Sequence, residues 1–326
     1  MPLVVKSMIV SILFVLVFVV VVRWRAASRE ANVEAQFPAT GQFVEVDGTK
    51  IHLKVIGQGP DLVLIHGANG SLRDFTFSLV DRLKADFRVI ALDRPGLGWS
   101  DRPSGYGSVF NVAAEPPALQ ARLLQAASDK IGVKNPIVIG HSYGGTIALA
   151  WALERPDQTA GLVLLGAATN PWEGELGWLY RVNSSLFGSL ITIPLITALT
   201  PRGTIAKALG EIFTPQASPD GYLDHISAHM TLRRSTQRAN AQQVNTLKPY
   251  IIQMHTRYSS LTLPVEILHG TQDIIVPLEV HAKPLSQQIP DAVLTRLEGV
   301  GHMPHHADPE ATLSAIHRVA ARAGLR

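Results

Sequence analysis

Gly140-His141-Ser142-Tyr143-Gly144 sets a serine between two glycines. The apolar run Pro136-Ile137-Val138-Ile139 precedes it, and the helix-like run Thr146-Ile147-Ala148-Leu149-Ala150-Trp151 follows. A buried strand turning this sharply into a helix holds its serine at positive φ, and the flanking glycines let the backbones pass. The turn presents the hydroxyl above the sheet, where a base can reach it. A serine needs that base, because it attacks poorly at neutral pH while it keeps its proton.

Two later stretches supply an acid and a base. Pro264-Val265-Glu266-Ile267-Leu268-His269-Gly270 reads as a strand, with Asp273 in the loop beyond it. Ala292-Val293-Leu294-Thr295-Arg296-Leu297 reads as the next strand, and Gly301-His302-Met303-Pro304 follows. The C-terminal ends of strands in an open parallel sheet face one crevice, so Ser142, Asp273 and His302 are expected to converge there. An imidazole, with an unperturbed pKa of ~6.5, suits proton removal from the serine, and the carboxylate fixes its tautomer and stabilises the imidazolium. Asp93 and Asp101 are weaker candidates for the acid, since both follow a strand that precedes Ser142. Backbone N–H groups of Ala68, in the loop His66-Gly67-Ala68-Asn69-Gly70, and of Tyr143 are positioned to hold a developing oxyanion. His66 and His141 are read as braces for these loops, and Asp93-Arg94-Pro95-Gly96 as a structural turn. His305 and His306 are expected as solvated first-turn residues of the last helix, rather than as metal ligands with Asp308.

The set His66-Gly67, Asp93 to Ser100, Gly140 to Gly145, His269-Gly270 with Asp273, and Gly301-His302 resembles the lidded serine hydrolases of the α/β-hydrolase fold, from about Gln42 to the C-terminus. The resemblance implies a mostly parallel central sheet flanked by helices, a helical lid insertion, and a Ser142/His302/Asp273 mechanism without a cofactor. Such relatives include carboxylesterases, lipases, carbon–carbon bond hydrolases and perhydrolases. Epoxide hydrolases and haloalkane dehalogenases are similar, but carry an aspartate where this chain has Ser142.

Composition agrees with one large α/β domain. The chain has 326 residues, 46% of them hydrophobic. Leu62 to Ile65, Arg88 to Leu92, Ile137 to Ile139, Gly161 to Leu165 and Val265 to Leu268 are apolar runs of the kind buried on both faces of a parallel sheet. Amphipathic segments alternate with them, at Ala118 to Ile131 and Gly144 to Leu153. Gln42 to Val46 and Lys50 to Val55, around Asp47-Gly48, read as an antiparallel hairpin. Lys6, Arg23, Arg25 and Arg29 against Glu30 give the first thirty residues a net charge of +3, which equals that of the whole chain. The body is therefore neutral and has no basic surplus for nucleic acid. With no cysteine, disulfides, thiol chemistry and cysteine-ligated metals are excluded. No metal site is expected.

Ser7 to Val22 holds fourteen apolar residues and two serines, extended by Leu3-Val4-Val5 past Lys6. About twenty such residues cross the ~30 Å hydrocarbon core as a helix, and Trp24 between two arginines suits the headgroup boundary. A cleavable signal peptide is the alternative, but arginines directly after the apolar run make a poor cleavage region. The flanking charges differ too little to assign a side of the membrane. The expected organisation is an anchor over 1–30, a polar linker over 31–41, a hydrolase core over 42–169 and 251–326, and a helical lid over 170–250. Within that lid Val182 to Pro201 has no charged residue, and Trp172, Trp178 and Phe187 are candidates for an apolar acyl or aromatic pocket. The expected activity is hydrolysis of small-molecule carboxylic esters through an acyl-enzyme. Carbon–carbon hydrolysis of a dienoic keto acid and perhydrolysis would use the same residues. A non-catalytic binding protein is the alternative of another class.

Overall fold

Short runs of β-branched residues and leucine, each stopped by glycine, proline or a charged turn, become the strands of one sheet. The computed structural model describes residues 2–325. Its strands are β1 (Gln42–Val46), β2 (Thr49–Ile56), β3 (Asp61–Ile65), β4 (Arg88–Leu92), β5 (Ile137–His141), β6 (Gly161–Leu165), β7 (Val265–Gly270) and β8 (Val293–Leu297). They lie in the order β1-β2-β4-β3-β5-β6-β7-β8. The β1–β2 hairpin joins antiparallel to β4, and every other pairing is parallel.

The helices used below are α1 (Leu3–Gln36), α2 (Pro117–Lys130), α3 (Tyr143–Glu154), α4 (Trp178–Ser184), α5 (Ile193–Leu199), α6 (Arg202–Phe213), α7 (Arg234–Asn245), α8 (Pro304–Ala307) and α9 (Pro309–Arg322). Strand alternation divides the core between two faces. Val63, Ile65, Val138 and Leu164 meet α2 and α3 on one side. Leu62, Leu64, Ile139 and Val163 meet Ile316 and Val319 of α9 on the other. Burial on both faces is what the continuous apolar runs required. The crossovers bring the C-terminal ends of β3, β5 and β7 to one rim.

All of the chain's regular structure between β6 and β7 is helical. A π-helical turn at Gly188–Thr192 leads straight into α5, and this arm is bent by 88° from α4 at the break between Ser184 and Gly188. Helix α7 returns along α4 and also packs against α5.

Helix α1 is long and apolar enough to cross a membrane, and its apolar stretch is exposed. The polar linker expected from residue 31 is a correction: α1 continues unbroken to Gln36. Side-chain bonds hold that last part helical and against the body. Arg29 donates to the carbonyls of Ala198 (3.0 Å) and Thr200 (2.7 Å), Glu30 pairs with Arg234 at 2.6 Å, and Glu34 with Arg233 at 3.1 Å. Val22 and Ala26 of α1 pack with Ala198 of α5.

Candidate active site

Ser142 sits between the end of β5 and the start of α3 at φ +52°, ψ −121°. Few residues adopt this conformation without tertiary support. The support is steric: a Cβ on Gly140 would strike the carbonyl of Gly144, one on Gly144 would strike that of Ile65, and one on Gly145 would strike Ala167.

His302 Nε2 lies 2.9 Å from Ser142 Oγ, and His302 Nδ1 lies 2.7 Å from Asp273 Oδ2. The carboxylate is itself oriented, because Oδ1 accepts the N–H groups of Ile275 at 3.0 Å and Val276 at 2.9 Å. Burial opposes its ionisation, but hydrogen bonding with His269 and His302, the latter's charge and the Val276 N–H outweigh that, holding the carboxyl well below the usual range. With Nδ1–H donated to Asp273, the Nε2 lone pair faces the serine hydroxyl. Asp93 and Asp101 are not in this chain of contacts. Asp93 accepts from Leu72 N, Trp99 N and His52 Nδ1, and so ties the β4 turn together.

Tyr143 follows Ser142 directly in the chain, and Ala68 lines the same cavity as Ser142 within the stretch Gly67 to Ser71. Tyr143 is the first residue of α3, so its N–H has no intrahelical acceptor. The N–H of Ala68 meets no acceptor among the described residues. Arg94 holds this loop from behind, with no exposure of its own: it donates to Gly67 O at 3.1 Å and Gln243 Oε1 at 2.7 Å, and lies 3.9 Å above the Tyr143 ring. His66 donates from Nδ1 to Gly67 O and accepts the Arg94 N–H at Nε2. His141 donates from Nε2 to the carbonyl of His302 at 2.9 Å.

The cavity measures about 290 Å³. Ile205, Ala208, Leu209 and Ile212 of α6, with Met230 and Tyr180, form much of its apolar wall. Trp172, Trp178 and Phe187, the expected lining, do not reach it. Trp178 and Phe187 are 66% and 57% exposed, and Trp172 packs against the core near His281. Composition located an apolar insertion, but helix phase determined which residues turn inward.

A family profile for the α/β hydrolase fold matches residues 60–309. The chain belongs to the α/β hydrolase family. It is 30% identical to a pimeloyl-(acyl-carrier protein) methyl ester esterase of Vibrio parahaemolyticus, over 74% of this chain and 87% of that protein. It is 27% identical to a 2-hydroxy-6-oxononadienedioate/2-hydroxy-6-oxononatrienedioate hydrolase of Cupriavidus pinatubonensis, over 84% of this chain and 93% of that protein. A crystal structure of an α/β hydrolase fold protein from Burkholderia ambifaria superposes with a TM-score of 0.68 at 25% identity, covering 84% of this chain and 96% of that one.

This α/β hydrolase departs from the sequence-based expectation at His305 and His306. Both lie in α8, a separate turn before the last helix, and both are buried against Asp74. Asp308 instead caps α9 by accepting from Ala311 N at 2.9 Å. Asp74 had no motif to mark it, since it lies on a four-residue helix among loop residues.

Burial also sets the protonation of other histidines. His66 Nε2 accepts a backbone N–H, and His281 Nδ1 accepts those of Thr169 and Asn170, so both rings must be neutral. Burial, with smaller contributions from Arg94 beside His66 and from the His269 and His302 rings beside His281, lowers each to about 4. The unfolded chain takes up these protons at the ordinary ~6.5, so stability is full above that pH and is lost as pH falls from there toward 4. Each ring contributes a loss of ~3 kcal/mol at pH 4. Urea unfolding of the protein in detergent, followed by tryptophan fluorescence, should show a steep drop in midpoint between pH 6.5 and 4. A midpoint unchanged over that range contradicts the assignment.

Proposed function

We propose that this chain is a membrane-anchored serine hydrolase that cleaves carboxylic esters with apolar acyl groups through an acyl-enzyme. The observation that carries the reading is the unbroken contact path Ser142 Oγ–His302 Nε2–Asp273, on a strained turn beside an apolar cavity. Ser142 attacks the ester carbonyl while His302 takes its proton, and His302 returns that proton to the leaving alkoxide. Asp273 holds the tautomer and stabilises the imidazolium. The N–H groups of Ala68 and Tyr143 bind the oxyanion. Water then releases the acid by the same route. The helical segment over 170–250 acts as a lid, with α6 providing the acyl wall, and α1 holds the enzyme at a bilayer.

The Cupriavidus relative is named as the hydrolase of a dicarboxylic substrate, and the carbon–carbon alternative likewise requires an acidic one. The cavity lining contains the Asp74 carboxylate and, among the described residues, no lysine or arginine. An acidic substrate would therefore meet like charge without compensation, which costs several kcal/mol. The ester reading is favoured on that ground.

The test uses the full chain in detergent micelles on p-nitrophenyl esters. Neutral short and medium acyl chains should be hydrolysed, with rates falling for chains too long for a 290 Å³ cavity. A succinyl half-ester should react at least ~10-fold more slowly than its neutral methyl ester. Activity confined to dienoic keto acids, or appearing only with peroxide, would transfer the assignment to those reactions. No turnover on any of these substrates would favour the binding-protein alternative.

A further inference from the structure

Beside the serine site, Asp74, His141 and His305 bring three donor atoms within 4.8 Å of one another, all on buried residues. Asp74 Oδ2 lies 3.8 Å from His141 Nδ1 and 3.1 Å from His305 Nε2. Two ligands at the ~2.0–2.2 Å bond lengths of tetrahedral zinc stand ~3.4 Å apart, and these separations straddle that value. Two of the three donors are also held from behind. His141 spends its Nε2–H on the carbonyl of His302, which leaves Nδ1 as a lone pair facing a carboxylate oxygen. Asp74 Oδ1 accepts from Tyr222 Oη at 2.6 Å and His306 Nε2 at 2.8 Å, which leaves Oδ2 turned toward the two rings. Imidazole and carboxylate ligands of metals are oriented in this manner, by a bond from the atom that does not ligate.

A lone pair 3.8 Å from a carboxylate oxygen, with no proton between them, is electrostatically unfavourable and is relieved by a cation. His305 supplies its share if its proton moves from Nε2 to Nδ1, a nitrogen without a hydrogen-bond partner among the described residues. Asp74 and His141 line the cavity wall, so a cation has a route in and a fourth position open to water.

The geometry points to a divalent transition-metal site formed by Asp74, His141 and His305, whose occupation inhibits the adjacent serine centre. Its donor set of two imidazoles and one carboxylate suits zinc and its neighbours. Inhibition follows from position. His141 bonds the backbone of His302, and their rings lie 5.0 Å apart, so a dication on His141 opposes the positive charge His302 must acquire. This second part rests on the proposed hydrolase mechanism; the binding does not.

The experiment is titration of the untagged, chelator-treated full chain in detergent with Co²⁺, whose tetrahedral complexes absorb intensely in the visible. One equivalent should produce that band. Asp74→Asn and His305→Gln should weaken binding at least tenfold, whereas His306→Gln, which leaves the three donors in place and removes one of the two bonds to Asp74 Oδ1, should weaken it less than either. Thermal melts by circular dichroism verify folding, and Asp74→Asn, being isosteric, decides the matter if His305→Gln does not fold. Zn²⁺ should inhibit ester hydrolysis reversibly by chelator, with at least tenfold weaker inhibition in Asp74→Asn. No tetrahedral band, or a band unchanged in Asp74→Asn, overturns the site. A band without inhibition of an active enzyme overturns only the regulatory half, and the band remains readable if no ester is turned over.

Discussion

Replacing Ser142 with alanine is expected to lower kcat on the best p-nitrophenyl ester by ~10⁶-fold, the scale seen when a serine nucleophile is removed from a triad. The protein should remain folded. Ser142 Oγ contributes one side-chain bond, to His302, and the glycines that permit its φ of +52° are unchanged. Alanine at that φ is strained to the same degree as serine. The urea midpoint should therefore move by less than ~1 kcal/mol in equivalent stability. A fall of less than a hundredfold, in a preparation free of other esterases, would mean that the reaction does not pass through Ser142.

Asp273→Asn is the second large effect, and its direction follows from the loop geometry. Two backbone N–H groups, of Ile275 and Val276, point at Oδ1. An asparagine must give them its carbonyl oxygen, which turns its NH₂ toward His302. His302 then accepts at Nδ1 and carries its proton on Nε2, facing Ser142 with a donor instead of a lone pair. The expected loss is ~10⁴ in kcat, as for the wrong tautomer in a serine triad. KM should change little, because the amide stays outside the cavity. A titrating carboxylate at this position is held well below the usual range, so the wild-type rate should show no inflection from Asp273 above pH 4. Retention of a tenth or more of the activity would indicate that another acid orients His302.

The strands and the three residues at their ends were legible because they obey local rules. Ile137 to Ile139 and Val265 to Leu268 are apolar without interruption, as strands covered on both faces must be. Gly140 and Gly144 are required by atoms one can infer from the turn itself. Asp74 was illegible for the opposite reason. Its significance comes from α8, more than two hundred residues later, folding His305 and His306 onto it. His305 and His306 looked solvated because histidines next to a helix start ordinarily are. The cavity wall was illegible too: Ile205 and Leu209 line it while Phe187 is exposed, and nothing in hydropathy distinguishes them. The end of α1 was misjudged because its polar residues look like a linker until their partners Arg233 and Arg234 are known.

That continuous helix has a mechanical consequence. A flexible tether would let the folded body swivel and drift relative to the helix. Helix α1 is instead a stiff rod clamped at Arg29, Glu30 and Glu34, and the distance from Val22 to Gln36 along it is ~21 Å. With the apolar end in a membrane, both the height and the heading of the body are fixed. The clamp also carries torque: tilting the rod in a thicker or thinner bilayer would pull directly on Ala198 and Thr200, the residues just before α6, which lines the cavity. In the proposed membrane-anchored arrangement, bilayer thickness thereby becomes a variable to which the mouth of the site is coupled.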